Sequence, residues 1–279
     1  MEGAPLAERI RKEVADEVRE LGGLGLVTVQ VGEDPASTIY LRLKHEAAAE
    51  AGISSDDRKL PEQVSEDELL ALIAEVNAHD GVDGILVQLP LPPHLDEERV
   101  IRAIEPVKDV DGLHPFNAGE LYLGRPRLVP ATPLGIMALL AEHRIPLEGA
   151  EAVVIGRSDI VGKPIAHLLL QANATVRICH SRTSDLARYT LEADVLVVAV
   201  GSAEVVTPDM VKQGSTVVDV GINRTEGGIV GDVAPDAADV AAFITPVPGG
   251  VGPMTIAMLL RNTVKAARYR RGLLAFPKG

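Results

Sequence analysis

The chain has 279 residues, 46% of them hydrophobic, a formal net charge of -13 and one cysteine, Cys179. That length holds one large core or two modest ones and excludes a small binding module. The acidity excludes nucleic acid as a partner, because no basic stripe is available to displace counterions from phosphates, and a lone cysteine excludes an internal disulfide framework. Apolar runs such as Val195 to Val200 are far shorter than a bilayer-spanning helix, and Met1-Glu2 opens no export signal, so a soluble, cytoplasmic chain with no membrane partner is expected.

After Pro5, the residues Leu6, Ile10, Val14, Val18 and Leu21 recur at helical spacing, which predicts an amphipathic helix closed by Gly22-Gly23. A strand is expected over 26–31. Asp34 as N-cap and Pro35 in the first turn then open a helix to about Ala51, with Gly52 as its stop. Ser65 and Glu68 form a capping-box pattern before another helix, which ends near Asp80-Gly81, and a strand follows over 84–89. Alternation of this kind predicts a first α/β domain over 1–116, with a parallel sheet and helical crossovers.

Thr132-Pro133 starts a helix that leads into a second series: a strand at 152–155, a helix from about Ile160, strands at 174–178, 195–200, 216–220 and 242–244, and a last helix from Pro253 to about Tyr269. This series reads as a Rossmann-like doubly wound parallel sheet over 117–252. The boundary is expected between Asn117 and Pro130, where Gly and Pro accumulate.

Gly156-Arg157-Ser158-Asp159-Ile160-Val161-Gly162 sits between a strand and a helix, where a glycine turn lets backbone N–H groups approach a pyrophosphate. Ser158 stands where the usual fingerprint has its second glycine, so a tight turn with no ligand is an equally good reading of these residues alone. The end of the next strand, His180-Ser181-Arg182-Thr183, carries no carboxylate where an NAD-preferring site places one. A hydroxyl and a guanidinium there suit the 2′-phosphate of NADP, with Arg157 approaching from the turn. NADP is therefore expected over NAD, against the plainer reading of Arg182 as a solvated helix-start residue.

Ser37, Tyr40 and Lys44 share one face of the helix opened by Pro35 and present a hydroxyl, a ring and an amine together. Most lysines at such spacing are solvated, and an amine acts as a base near neutral pH only when desolvation or a nearby cation lowers its pKa. Gln88 interrupts the apolar strand Ile85-Leu86-Val87-Gln88-Leu89 near its C-terminal end, where open α/β sheets bind ligands; a Gln satisfied by loop backbone is the bland alternative. Lys108-Asp109-Val110-Asp111-Gly112-Leu113-His114 offers carboxylates and a histidine without convergent metal-ligand spacing, so no metal site is expected. Pro248-Gly249-Gly250-Val251-Gly252-Pro253 is a rigid turn, poor in side chains, before the last helix, suited to close approach of a ligand.

Taken in order, Gly32 to Ser37 with Tyr40 and Lys44, Val87 to Pro92, Lys108 to Gly112, Gly156 to Ser158 and Pro248 to Pro253 resemble the bifunctional methylenetetrahydrofolate dehydrogenase/methenyltetrahydrofolate cyclohydrolase family across nearly the whole chain. Asp219 to Asn223 and Gly231 to Val233 are similar to further segments of that family, whereas Ala131 stands where many relatives have cysteine. The resemblance implies two α/β domains with a folate cleft between them, the last helix, 253–279, packing back on the first. It implies oxidation of 5,10-methylenetetrahydrofolate with NADP and hydrolysis of the methenyl product to 10-formyltetrahydrofolate, in one-carbon metabolism and purine biosynthesis. Lys44 becomes the acid/base of the hydrolytic step, with Gln88 bonded to it, Asp111 gripping the pterin and Tyr40 stacking on it. Ser37, Val87, Leu89 and Pro248, Gly249, Gly250, Val251 and Gly252 complete the folate side; Gly156, Arg157, Ser158, Ser181, Arg182 and Ile222 hold NADP. The expected partners are tetrahydrofolates, with or without a polyglutamate tail, and a second copy in a homodimer formed through the cofactor domains. Alternatives are a dehydrogenase that has lost hydrolysis, a non-catalytic NADP- or folate-binding protein, and an NADP dehydrogenase of small hydroxy acids, the last leaving the Tyr40/Lys44 face unexplained.

Overall fold

The computed structural model describes residues 1–32 and 35–277, with side chains at all of them except 35–39. In chain order the elements are α1 (Ala4–Leu21), β1 (Leu24–Val31), α2 (Pro35–Glu50), β2 (Ile53–Leu60), α3 (Glu66–Ala78), β3 (Gly84–Val87), α4 (Glu97–Ala103), α5 (Pro115–Tyr122), α6 (Ala131–Glu142), β4 (Glu151–Ile155), α7 (Gly162–Gln171), β5 (Thr175–Cys179), α8 (Leu186–Thr190), β6 (Val195–Val198), β7 (Thr216–Asp219), β8 (Asn223–Thr225), β9 (Gly228–Val230), β10 (Phe243–Ile244) and α9 (Val251–Arg270). They form two compact units, one of residues 9–131 and 256–279, the other of residues 1–8 and 132–255. Among the described residues no helix is long and apolar enough to cross a membrane.

The division expected at 116/117 therefore falls at 131/132. Asn117, buried in α5, donates to Pro106 O and to the Asp109 carboxylate, both at 2.8 Å. Asn262 of α9 donates to Val129 O at 2.8 Å. These bonds tie 117–131 into the first unit despite their Gly and Pro content. At the N-terminus, Gly3 N donates to Gly249 O at 2.9 Å, which attaches the first residues to the second unit.

The first unit is built on a parallel sheet of order β2-β1-β3, extended by a bridge between Ile85 and Asp109. One face buries Val27, Val29, Ile85 and Val87 against Leu69, Ile73 and Val76 of α3 and Val100 of α4. α3 starts where the sequence indicates: Ser65 N donates to Glu68 Oε2 at 3.0 Å and Glu68 N to Ser65 Oγ at 3.3 Å. Of the unpredicted elements here, β2 is the instructive one. Its residues Ile53 to Leu60 are mostly charged or hydroxylated because, among the described residues, it pairs with β1 alone and forms the edge of the sheet, where charge discourages pairing with other chains.

The second unit carries a five-stranded parallel sheet of order β10-β7-β6-β4-β5 and the antiparallel ribbon β8-β9. Chain-central β4 lies between β5 and β6, so the strand order reverses beside it, as in a doubly wound nucleotide-binding sheet. Val153, Ile155, Leu196, Val198 and Val217 fill its core. The last helix begins at Val251 rather than Pro253, because proline is tolerated in a first helical turn, where its missing N–H has no partner to lose.

Candidate functional site

In the first unit β1 and β3 lie side by side, and Gln88 N donates to Val29 O at 2.8 Å just past the end of β3. The connections leave β1 toward opposite neighbours, so the C-terminal ends of these strands form the place where parallel sheets hold ligands. Lys44, on α2, is buried at 7% exposure, and its Nζ lies 3.3 Å from Gln88 Oε1. Gln88 Nε2 donates to Leu89 O at 2.8 Å, which turns the amide oxygen toward the amine. One helical turn before Lys44, the Tyr40 ring centre stands 5.4 Å from Nζ. Burial lowers the Lys44 pKa below the ordinary lysine value, and the Asp111 charge opposes part of that fall. Conversely, burial pushes half-buried Asp111 up to about 6, against the pull of Lys44 and with a further push from Asp109.

The loop that presents Asp111 is fixed on three sides. Lys108, 2% exposed, donates to the carbonyls of Asn77 at 2.5 Å and His79 at 3.1 Å, so it caps the C-terminus of α3 and is spoken for structurally. Buried Asp109 accepts from Leu113 N at 3.2 Å, His114 N at 2.8 Å and Asn117 Nδ2 at 2.8 Å. Asn262 donates to Val110 O at 2.7 Å as well as to Val129 O, and Gly112, at φ +68°, leaves no room for a Cβ, which would meet Val129 C at 2.6 Å. Two carboxylates only two residues apart therefore have separate tasks, Asp109 holding backbone and Asp111 facing the Lys44 charge. Sequence spacing alone groups them.

Not every expected folate-side residue offers a side chain. Val87 is 4% exposed and packs in the core, so it presents main chain only, and half-buried Leu89 leans on the same cluster. The Ser37 side chain and the expected N-cap Asp34 lie outside the described residues. Pro248 to Gly252 belong to the second unit: Pro248 is exposed, Gly249 and Gly252 are half-buried, and Gly250 and Val251 are buried. A Cβ on Gly250 would stand 2.6 Å from Pro246 O, and Val251 is 4% exposed, so the Val251 side chain serves the core and not a ligand.

In the second unit the turn after β4 depends on both of its glycines. Gly156 has φ +125°, and a Cβ there would lie 2.2 Å from Ala199 O; a Cβ on Gly162 would lie 2.4 Å from Gly156 O. Ser158 Oγ accepts from Val161 N at 3.2 Å and Gly162 N at 3.3 Å, so the residue in the second-glycine place ties the turn to the first N–H groups of α7. Arg157, Ser181, Arg182 and Ile222 are exposed along the same C-terminal edge of the sheet. Arg182 is not at a helix start as the plainer reading supposes; Arg182 N donates to His180 Nδ1 at 3.1 Å in a turn, and α8 opens later, at Leu186. A close-packed glycine turn at a helix N-terminus with two exposed guanidiniums beside it fits a phosphorylated dinucleotide.

The fold and these two groups of residues define an α/β enzyme class, with a parallel-sheet catalytic domain followed by a doubly wound dinucleotide-binding domain. Comparison with known proteins agrees. Residues 1–111 match the catalytic domain, and 130–271 the NAD(P)-binding domain, of tetrahydrofolate dehydrogenase/cyclohydrolase. The bifunctional protein FolD of Acidiphilium cryptum is 57% identical over 274 residues, 97% of this chain and 98% of that one. The crystal structure of the bifunctional methylenetetrahydrofolate dehydrogenase/cyclohydrolase FolD of Campylobacter jejuni superposes with a TM-score of 0.94 at 49% identity, covering 96% of this chain and 98% of that chain. The Trypanosoma brucei methylenetetrahydrofolate dehydrogenase-cyclohydrolase, solved with NADP cofactor and inhibitor, gives 0.93 at 38% identity, covering 99% and 98%. The chain belongs to the tetrahydrofolate dehydrogenase/cyclohydrolase family, bifunctional enzymes of one-carbon metabolism.

Proposed function

We propose that the chain oxidises 5,10-methylenetetrahydrofolate with NADP and hydrolyses the resulting methenyl cation to 10-formyltetrahydrofolate, with Lys44 moving the protons of the second step. The observation that carries this is the buried Lys44 amine, 3.3 Å from Gln88 Oε1 and coupled to Asp111, at the C-terminal end of the first sheet. NADP, when bound, accepts the hydride that leaves the one-carbon bridge. That step asks the protein for orientation more than for a base. Tyr40 offers a face for the folate, and the two oxygens of Asp111 suit adjacent amino and ring N–H donors of the pterin.

Hydrolysis has different needs. Water adds to the electron-poor methenyl carbon and must lose a proton, and the nitrogen that leaves must gain one. Desolvation lowers the cost of the neutral amine, so Lys44 accepts the first proton and returns it to the leaving nitrogen, one net proton passing to solvent. Gln88 Oε1 accepts from the amine and holds its direction. Gly156, Arg157, Ser158, Ser181, Arg182 and Ile222 line the NADP side in this reading, supported by the 38% identical relative solved with NADP and by the exposed guanidiniums.

Asp111 predicts the acid limb. With a pKa of about 6 it grips the pterin as a carboxylate above that pH and loses acceptor capacity below it. The expected profile of kcat/KM falls up to tenfold per pH unit below about 6, and an Asp111→Asn protein, weaker throughout, lacks that limb; an unchanged limb in the variant contradicts the assignment. Because the folded pKa lies above the ordinary carboxylate value, the same burial costs stability as pH rises from about 4 to about 6. Losing the Asp111 charge should also lower the Lys44 pKa further.

The proposal includes a homodimer formed through the cofactor domains, acting in the cytoplasm on tetrahydrofolates with or without polyglutamate tails. Leu170, Ile178 and Leu191 leave 58%, 44% and 45% of their surfaces exposed around β5 at the sheet edge, an apolar cost that a second copy would remove. Light scattering is expected to give twice the chain mass, and a single-chain mass would refute the dimer. Recovery in a membrane or exported fraction would refute the location.

A further inference from the structure

Two buried carboxylates at the C-terminal edge of the second sheet have no part in the chemistry above, yet the loops after β6 and β7 hang from them. Asp219, the last residue of β7, accepts from Gly221 N at 3.0 Å and Asp232 N at 2.9 Å on Oδ1, and from Val233 N at 3.0 Å on Oδ2. Asp232, fully buried, accepts from Val200 N at 2.7 Å and Gly201 N at 2.9 Å on Oδ2, and from Ser202 N at 3.0 Å and Asn223 Nδ2 at 2.8 Å on Oδ1. Neither forms an ion pair among the described residues, so N–H dipoles alone hold two neighbouring anions. The fit is close: a Cβ on Gly221 would lie 2.1 Å from Asp232 Oδ1, and one on Gly231 1.7 Å from Asp219 Oδ2.

The bonds end on both walls of the dinucleotide edge. Ala199, next to Val200, is the backbone against which Gly156 packs, and Gly221 and Asn223 flank exposed Ile222. We propose that Asp232, seated on Asp219, is a positioning residue for the dinucleotide: it fixes the 199–202 loop and the Ile222 loop at one spacing, so that reduction of NADP depends on it and hydrolysis does not. This inference rests on the NADP reading above.

Asp232→Asn keeps the shape but turns one acceptor into an NH2, which must face two N–H groups whichever way the amide lies. The expected result is a rise of about tenfold or more in KM for NADP, with kcat at saturating NADP and KM for the folate within about threefold. Decay of added methenyltetrahydrofolate, measured without dinucleotide, stays at the wild-type rate. Asn223→Ala, at a half-buried ribbon position, removes one donor and should raise KM for NADP roughly threefold; it decides the matter if the first variant does not fold. Unchanged KM for NADP in the folded variants, or a parallel fall of both reactions, overturns the positioning role while leaving wild-type NADP reduction intact. A wild-type protein that does not reduce NADP overturns the underlying reading and this inference together.

Discussion

A Lys44→Met protein is expected to form methenyltetrahydrofolate from the methylene substrate and then to accumulate it, hydrolysis falling by about 10²- to 10⁴-fold, the range of positioned acid/base catalysis. The fold should tolerate the change. Lys44 is a buried cation whose desolvation is unfavourable, and methionine fills similar volume without charge. What is lost is the donor to Gln88 Oε1, where Gln88 is half-buried so that solvent can reach the orphaned oxygen, and the cation opposite Asp111, whose pKa then rises further. Oxidation needs orientation and no proton transfer, so it should fall far less than hydrolysis. Stopped-flow absorbance of the methenyl species separates the two. Equal loss of both steps would mean that Lys44 binds substrate only, and no loss of either would remove it from the chemistry. Gln88→Leu should follow the same direction less severely, since it removes the partner but keeps the amine.

Arg182→Ala is expected to raise KM for NADP by about 10- to 100-fold at low salt and to leave KM for NAD within about twofold. The magnitude is that of one or two hydrogen bonds to a charged phosphate, about 1.5–3 kcal/mol, and it shrinks as ionic strength rises because Arg182 is exposed. Arg157→Ala should share the effect, and the double variant shows whether the two guanidiniums act on one phosphate, through non-additivity. NADP and NAD affected equally would return Arg182 to the role of a solvated turn residue and would move the origin of NADP preference elsewhere.

Local signals in the sequence were dependable where backbone chemistry leaves a mark. The Ser65/Glu68 box opens α3 as expected, and the apolar strands β3, β4, β6 and β7 fall within a few residues of their expected ends. Charged β2 was illegible because its apolar content is the signal sequence reading relies on, and an edge strand needs little of it. α4 and α5 did leave marks: Asp96 caps Arg99 N at 3.1 Å ahead of Glu97 and Glu98, and His114 accepts from Phe116 N beside Pro115. Reading those caps would have found both short helices.

The site was legible as a set of residues and illegible as an environment. The spacing of Tyr40 and Lys44 is the same for a solvated helix face as for a buried one, and only tertiary packing decides that Lys44 is desolvated. Asp109 and Asp111 differ because Asn117, eight residues on, bonds the Asp109 carboxylate, and Asn262, far away in sequence, pins the backbone between them. The Asp219–Asp232 pair spans thirteen residues, and its meaning lies in N–H groups from the end of β6 that no local pattern announces.

The central claim is that this one chain both makes and consumes the methenyl cation. The most direct measurement is a single time course of the wild-type protein with 5,10-methylenetetrahydrofolate and NADP, recording NADPH and methenyltetrahydrofolate together. The account predicts that NADPH rises while the methenyl signal passes through a low maximum and decays faster than it does in buffer alone. NADPH formation with methenyl decay no faster than in buffer would contradict hydrolysis by this protein, and no NADPH formation would contradict the account as a whole.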